Sequence, residues 1–90
     1  MLYFYSNECA PCQILRPKVE QLITKEFPLI ETTYIEGRNH PELTVYFGIF
    51  SFPVILYFFE GKEYRRYGKS VSIAEMGAEI ERAYNMVFDE

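Results

Sequence analysis

Ninety residues and 10.7 kDa, 49% hydrophobic and 18% aromatic with eight Tyr, eight Phe and no Trp, suit one compact unit and exclude a disordered chain. Nine Lys plus Arg against thirteen Asp plus Glu leave a net charge of −4 and a pI near 5.0, a balance that argues against a dedicated nucleic-acid binder. A chain this short buries only about 60–65% of its unfolded surface, so its core must be efficient.

Leu2 to Tyr5 is a short apolar run closed by Ser6-Asn7, the pattern of a strand buried on both faces. The run has no basic start and soon meets Asn7 and Glu8, so neither a signal peptide nor a membrane anchor is expected, and the cytoplasm is the expected setting. Leu15, Val19, Leu22, Ile23 and Phe27 then recur at helical spacing until Pro28 stops the helix. Leu29 to Ile35, rich in Thr and Ile and followed by Gly37, reads as a second strand. His40-Pro41 opens a short helix through about Phe47, with proline in the first-turn position that tolerates it.

Pro53 to Phe59 is the strongest strand signal, and it is far shorter than the roughly 20 residues of a spanning helix. Glu60-Gly61 turns it into a partner strand, Glu63 to Tyr67, which makes the pair antiparallel. Ser72 with Glu75 offers a capping box, and Ile73, Met76, Ile80, Tyr84 and Val87 form the apolar stripe of a closing helix. The order is βαβαββα, an α/β architecture with a four-stranded mixed sheet covered on both faces, expected as a single domain over residues 1–90.

The chemistry lies at Cys9-Ala10-Pro11-Cys12, which holds the two cysteines of the chain. Cysteines this close cannot staple distant parts of a fold. Placed where a strand gives way to a helix, Cys9 faces unpaired backbone N–H groups and the positive end of the helix macrodipole, which favour thiolate over thiol. Cys12 follows one turn later on the same side, and Pro11 stiffens the ring between them. Cys9 is then the group that attacks a disulfide in a partner, and Cys12 the group that resolves the mixed disulfide. Two plainer readings stand beside this one. Half of a zinc site lacks ligands, since only His40 remains among the soft candidates. The other is an inert buried pair.

Pro17 stands five residues after Cys12, and Gly48-Ile49-Phe50-Ser51-Phe52-Pro53 leads into the strongest strand. With Gly61 in the hairpin and Gly68 after it, these features make the whole chain resemble the thioredoxin family. The resemblance implies a cis proline at Pro53 packed beside the cysteines, a Phe52 backbone free to pair with an extended substrate segment, and close approach at Gly68. It implies a thiol–disulfide oxidoreductase without a cofactor of its own, acting on disulfide-containing protein substrates and supplied with electrons by a reductase or small dithiol. A monomer is expected. The alternative is a non-catalytic binding module that holds a client in the groove beside Pro53.

The chain departs from the family at instructive positions. Glu8 replaces the usual tryptophan, and its carboxylate opposes a Cys9 thiolate. Tyr3 stands where the family has a buried acid, and Thr32 and Thr33 lie where it has a lysine, so resolution by Cys12 is expected to be slower or to use water. The minimal layout is similar to glutaredoxins, but Ser51-Phe52-Pro53 and Tyr67-Gly68-Lys69 do not match their glutathione-binding patterns. Lys62, Arg65, Arg66 and Lys69 suit edge-strand protection, with docking of an acidic partner as the alternative. Phe50 and Phe52 are expected to flank the groove as an apolar rim.

Overall fold

The computed structural model describes the backbone of residues 1–88 and the side chains of residues 1–86. Strands β1 (Leu2–Tyr5), β2 (Thr33–Glu36), β3 (Val54–Phe59) and β4 (Lys62–Tyr67) form one sheet in the order β2-β1-β3-β4. Helix α1 (Ala10–Glu26) links the parallel pair β1 and β2, as a parallel crossover requires. A short 3₁₀ turn (Gly37–Asn39) and α2 (Pro41–Phe47) lead to β3, which runs antiparallel to both β1 and β4. Helix α3 (Ile73–Phe88) closes the chain, with Ser72 Oγ accepting the Glu75 N–H at 3.2 Å as its cap.

Alternation along the central strands divides the core in two. Tyr3, Ile55 and Tyr57 point to the face covered by α1 and α3, where they meet Leu15, Val19, Ile23, Met76 and Ile80. Phe4 and Leu56 point to the other face, where Ile49, Leu43 and Phe47 cover them. The buried positions of α1 recur every three or four residues, so one stripe of that helix faces the sheet. The last member of the α3 stripe, Val87, has its side chain outside the described residues.

The expected second strand is corrected. It begins at Thr33 rather than Leu29 and runs to Glu36. The Ile30 N–H turns back to Phe27 O at 3.0 Å, and Leu29 is exposed, so the segment first completes the exit from α1. Contact with the first strand begins at Met1, whose amino group donates to Glu31 O and whose carbonyl accepts the Thr33 N–H, each at 2.9 Å.

Register then decides where the site lies. Tyr5 pairs with Glu36, Phe4 with Val54 and Ile55 with Tyr67. The exits of β1, β2 and β4 and the entry of β3 therefore share one end of the sheet, and Cys9, Arg38, Gly68 and Pro53 follow from them.

Between β3 and β4, Glu60 and Gly61 both take positive φ, 52° and 81°, as a two-residue type I′ hairpin requires. Glycine accepts this freely and glutamate does not. Glu60→Asn, which restores the favoured Asn-Gly turn, is expected to raise stability by roughly 0.5–1 kcal/mol, measured as the urea midpoint at constant m-value.

Candidate functional site

Cys9 occupies the N-cap of α1 with extended backbone (φ −96°, ψ 105°), as a cap residue must. Its sulfur accepts the Cys12 N–H at 3.3 Å, the bond a serine or aspartate oxygen would accept at an ordinary cap. The two cysteines are joined as a disulfide with a Cα–Cα separation of 5.3 Å. They are unequally accessible: Cys9 is half-buried, whereas Cys12 is only 2% exposed. Pro11 is exposed in the first turn, where its missing N–H would have had no helical partner. The chain reaches the cap through a turn at buried Ser6, whose carbonyl accepts the Cys9 N–H at 3.0 Å.

The Phe52–Pro53 peptide is cis, and the Phe52 carbonyl oxygen lies 3.5 Å from Cys9 Sγ. Pro53 is fully buried beneath this contact. Phe52 is partly exposed, and its ring also has a structural duty. Its ring packs against the α2 cluster and covers Gly37, where an added Cβ would collide with the ring and lie 3.2 Å from Thr44 Cγ2. The exposed aromatic is Phe50, at 95%, with Val45 and Tyr46 also exposed on α2. Gly68 is exposed at the same end of the sheet, and a Cβ built there meets nothing within 4 Å, so the space above it is open.

Charge around Cys9 is more balanced than the sequence suggests. Arg38 Nη1 donates to Glu8 Oε1 at 2.8 Å, so the carboxylate beside Cys9 carries its own counter-charge. Both partners are well exposed, which makes the pair a local field correction and a minor contributor to stability. Behind it, Glu36 ties two loops together: Oε2 accepts the Asn7 N–H and Oε1 the Arg38 N–H, each at 2.8 Å. These two backbone donors hold the Glu36 carboxyl below its ordinary pKa.

Tyr3 is a core aromatic with one polar duty. Its hydroxyl donates to the Cys12 carbonyl at 2.9 Å, and burial pushes its pKa up to about 12. It cannot take a proton from a thiol near neutral pH. Of the hairpin cations, Arg66 is bound to Glu63 through two nitrogens and Arg65 lies 3.5 Å from Glu79. Both cations are thus matched within the molecule. His40 is exposed and stands 3.6 Å from Glu42. Among the described residues no cluster of three His, Cys, Asp or Glu could hold a metal, and no helix is long and apolar enough to cross a membrane.

With this geometry in view, the family model described as Thioredoxin matches residues 1–82. The chain belongs to the thioredoxin family. It is similar to the thioredoxin-like protein YdfQ of Bacillus subtilis (strain 168), 25% identical over 94% of this chain and 75% of that protein. It is 32% identical to the thioredoxin of Chlamydia muridarum (strain MoPn / Nigg), over 70% of this chain and 61% of that protein. The structure of thioredoxin 1 from Thermosipho africanus TCF52B superposes with a TM-score of 0.83 at 25% identity, covering 99% of this chain and 97% of that one. Family membership together with a CxxC pair at disulfide distance supports thiol–disulfide oxidoreduction in general.

Sequence reading brought Cys9, Pro11, Cys12, Phe52, Pro53 and Gly68 to one place and missed Glu36 and Arg38. Those two reach the cysteine loop only because β2 pairs in parallel with β1, and no local spacing signals that. A lowered carboxyl pKa contributes stability that is present above the unfolded value, ordinarily 4.5, and lost as pH falls through the folded value. Glu36→Gln, which keeps one acceptor oxygen and loses the charge, is expected to lower the thermal midpoint at pH 7. That deficit should shrink steadily as the pH is taken below 4.5, in thermal unfolding followed across a pH series.

Proposed function

We propose that this protein is a protein thiol–disulfide oxidoreductase in which Cys9 attacks and Cys12 resolves. The observation that carries the reading is the unequal exposure of two cysteines in one helical turn. The half-buried sulfur is the one at the N-cap, and the buried sulfur is held behind it.

In the reduced protein the Cys9 thiolate attacks one sulfur of a substrate disulfide. A Cys9–substrate bond forms and the other substrate sulfur leaves as thiolate, to be protonated by solvent. Cys12, as thiolate, then attacks Cys9 Sγ and the second substrate sulfur leaves. The substrate gains two electrons and the Cys9–Cys12 pair loses them. A reductase or a small dithiol of the medium returns the protein to the dithiol.

The approach of a substrate is set by the backbone around Phe52 and Pro53. An extended protein segment laid there can pair with main-chain groups in the manner of an added strand. Phe50 supplies apolar contact at the edge, and the open space over Gly68 admits the segment from the other side. The reading takes the protein as a cytoplasmic monomer that uses no cofactor of its own.

Cys9→Ser is expected to abolish reduction of a model protein disulfide, whereas Cys12→Ser should accumulate mixed disulfides visible by mass under non-reducing conditions. Full activity in Cys9→Ser would overturn the assignment. In equilibration with dithiol buffers, a reduction potential of about −270 mV would make the protein a cytoplasmic reductant. A value near about −120 mV would make the protein an oxidant instead. No reversible disulfide at any poise, with equal client binding by wild type and a Cys9→Ser/Cys12→Ser double variant, would leave a binding module.

A further inference from the structure

Resolution requires the buried Cys12 to lose its proton, and the structure removes the obvious acceptor. Tyr3 sits where a buried acid would, and its hydroxyl is spent on the Cys12 carbonyl. Cys12 opens instead onto a pocket of about 100 Å³ lined by Tyr5, Ser6, Asn7, Gln13 and Arg16. That space is large enough for water, and its polar walls supply the hydrogen-bond partners water needs. Among the described residues that line it, Arg16 is the one that carries a charge, and no carboxylate does.

Arg16 lies four residues after Cys12, so the two share a face of α1 one turn apart. Its guanidinium is held in place on the sheet side by three contacts. The carbon at its centre stands 4.0 Å from the Tyr34 ring centroid and 5.4 Å from that of Tyr5. Nε donates to Glu20 Oε1 at 3.1 Å. The planar group over the two rings is oriented more firmly than a lysine ammonium in the same place would be.

We infer that Arg16 is the positioning residue of the resolving step: its fixed cation favours the Cys12 thiolate across the shared pocket, and pocket water carries the proton away. The inference deepens the exchange reading above and rests on it. No carboxylate changes protonation, and the proton from Cys12 passes to water and then to bulk solvent. The groups that set the field at Cys12 are Cys9 and Arg16 on α1, with Glu20 behind Arg16, Tyr3 and Tyr5 on β1, and Tyr34 on β2. The Glu8–Arg38 pair lies outside at the rim.

The test measures the pH dependence of Cys12 alkylation by mass in the Cys9→Ser background, with and without Arg16→Gln and Arg16→Lys. Arg16→Gln is expected to raise the Cys12 pKa by about one unit. In the protein with both cysteines, the accompanying loss in resolution rate near neutral pH is smaller, about threefold, because a more basic thiolate is also the better nucleophile. Arg16→Lys should restore most of both. If Arg16→Gln does not fold, Glu20→Gln reads the same field with opposite sign, and the Cys12 pKa should fall.

An unmoved Cys12 pKa in Arg16→Gln, or in Glu20→Gln where that variant stands in, overturns the inference. So does a lysine variant that behaves like glutamine. The two readings fail separately. Reductase activity with an unmoved Cys12 pKa keeps the exchange function and removes the role of Arg16. A moved Cys12 pKa in a protein without reductase activity does the reverse.

Discussion

The handover from β1 to α1 is the constraint on which the active end depends. Tyr3 enters the larger core with no exposed surface, and its hydroxyl reaches the carbonyl of Cys12 on the helix. A buried hydrogen bond of this kind is worth roughly 0.5–1.5 kcal/mol, and leaving its acceptor unpaired would cost more. It locks the first turn of α1 to the central strand of the sheet. The buried stripe Leu15, Val19 and Ile23 continues that attachment down the helix. With the helix fixed in this way, the cap position is fixed too. Cys9 therefore meets the Phe52 carbonyl in the segment just before β3.

That single attachment puts the two sulfurs into different electrostatic settings. At Cys9, the Cys12 N–H and the helix macrodipole favour an anion, while the Phe52 carbonyl and Glu8 disfavour it. Arg38 offsets the Glu8 charge, which leaves one backbone donor and the macrodipole against one carbonyl. Cys12 also lies in the first turn, where the macrodipole still acts, but its own N–H already serves Cys9. A side-chain charge can add to that field, and the pocket beside Cys12 brings Arg16 as the candidate.

Much of this was legible in the sequence, for identifiable reasons. The βαβαββα order follows from strong local signals: the apolar run into β3, the Glu60-Gly61 turn, the helical spacing from Leu15 to Phe27. Cys9 as a cap follows from its position between a strand and a helix, and Pro53 as a cis proline from family resemblance. What escaped depends on pairing. Strand β2 is in register with β1 from Thr33, opposite Leu2, and a propensity reading of Leu29 to Ile35 has no access to that register. Glu36 and Arg38 reach the cysteine loop through the same register. Phe50 and Phe52 are both accessible, but the sequence does not show that the Phe52 ring also packs over Gly37 while Phe50 stays in solvent.

The replacement of a buried acid by Tyr3 bears on how the whole end of the molecule is held. A carboxylate beneath Cys12 would need either a counter-ion or a raised pKa, because an isolated buried charge is expensive. Tyrosine avoids that problem: it fills the core, donates one hydrogen bond to the helix and stays neutral far above physiological pH. The ionic element moves outward to Arg16, where the Tyr5 and Tyr34 rings and the half-exposed Glu20 stabilise a cation that keeps contact with water. The residue beneath Cys12 thus stays neutral near neutral pH, and the cation nearest in the chain sits at the wall of the pocket that Cys12 lines.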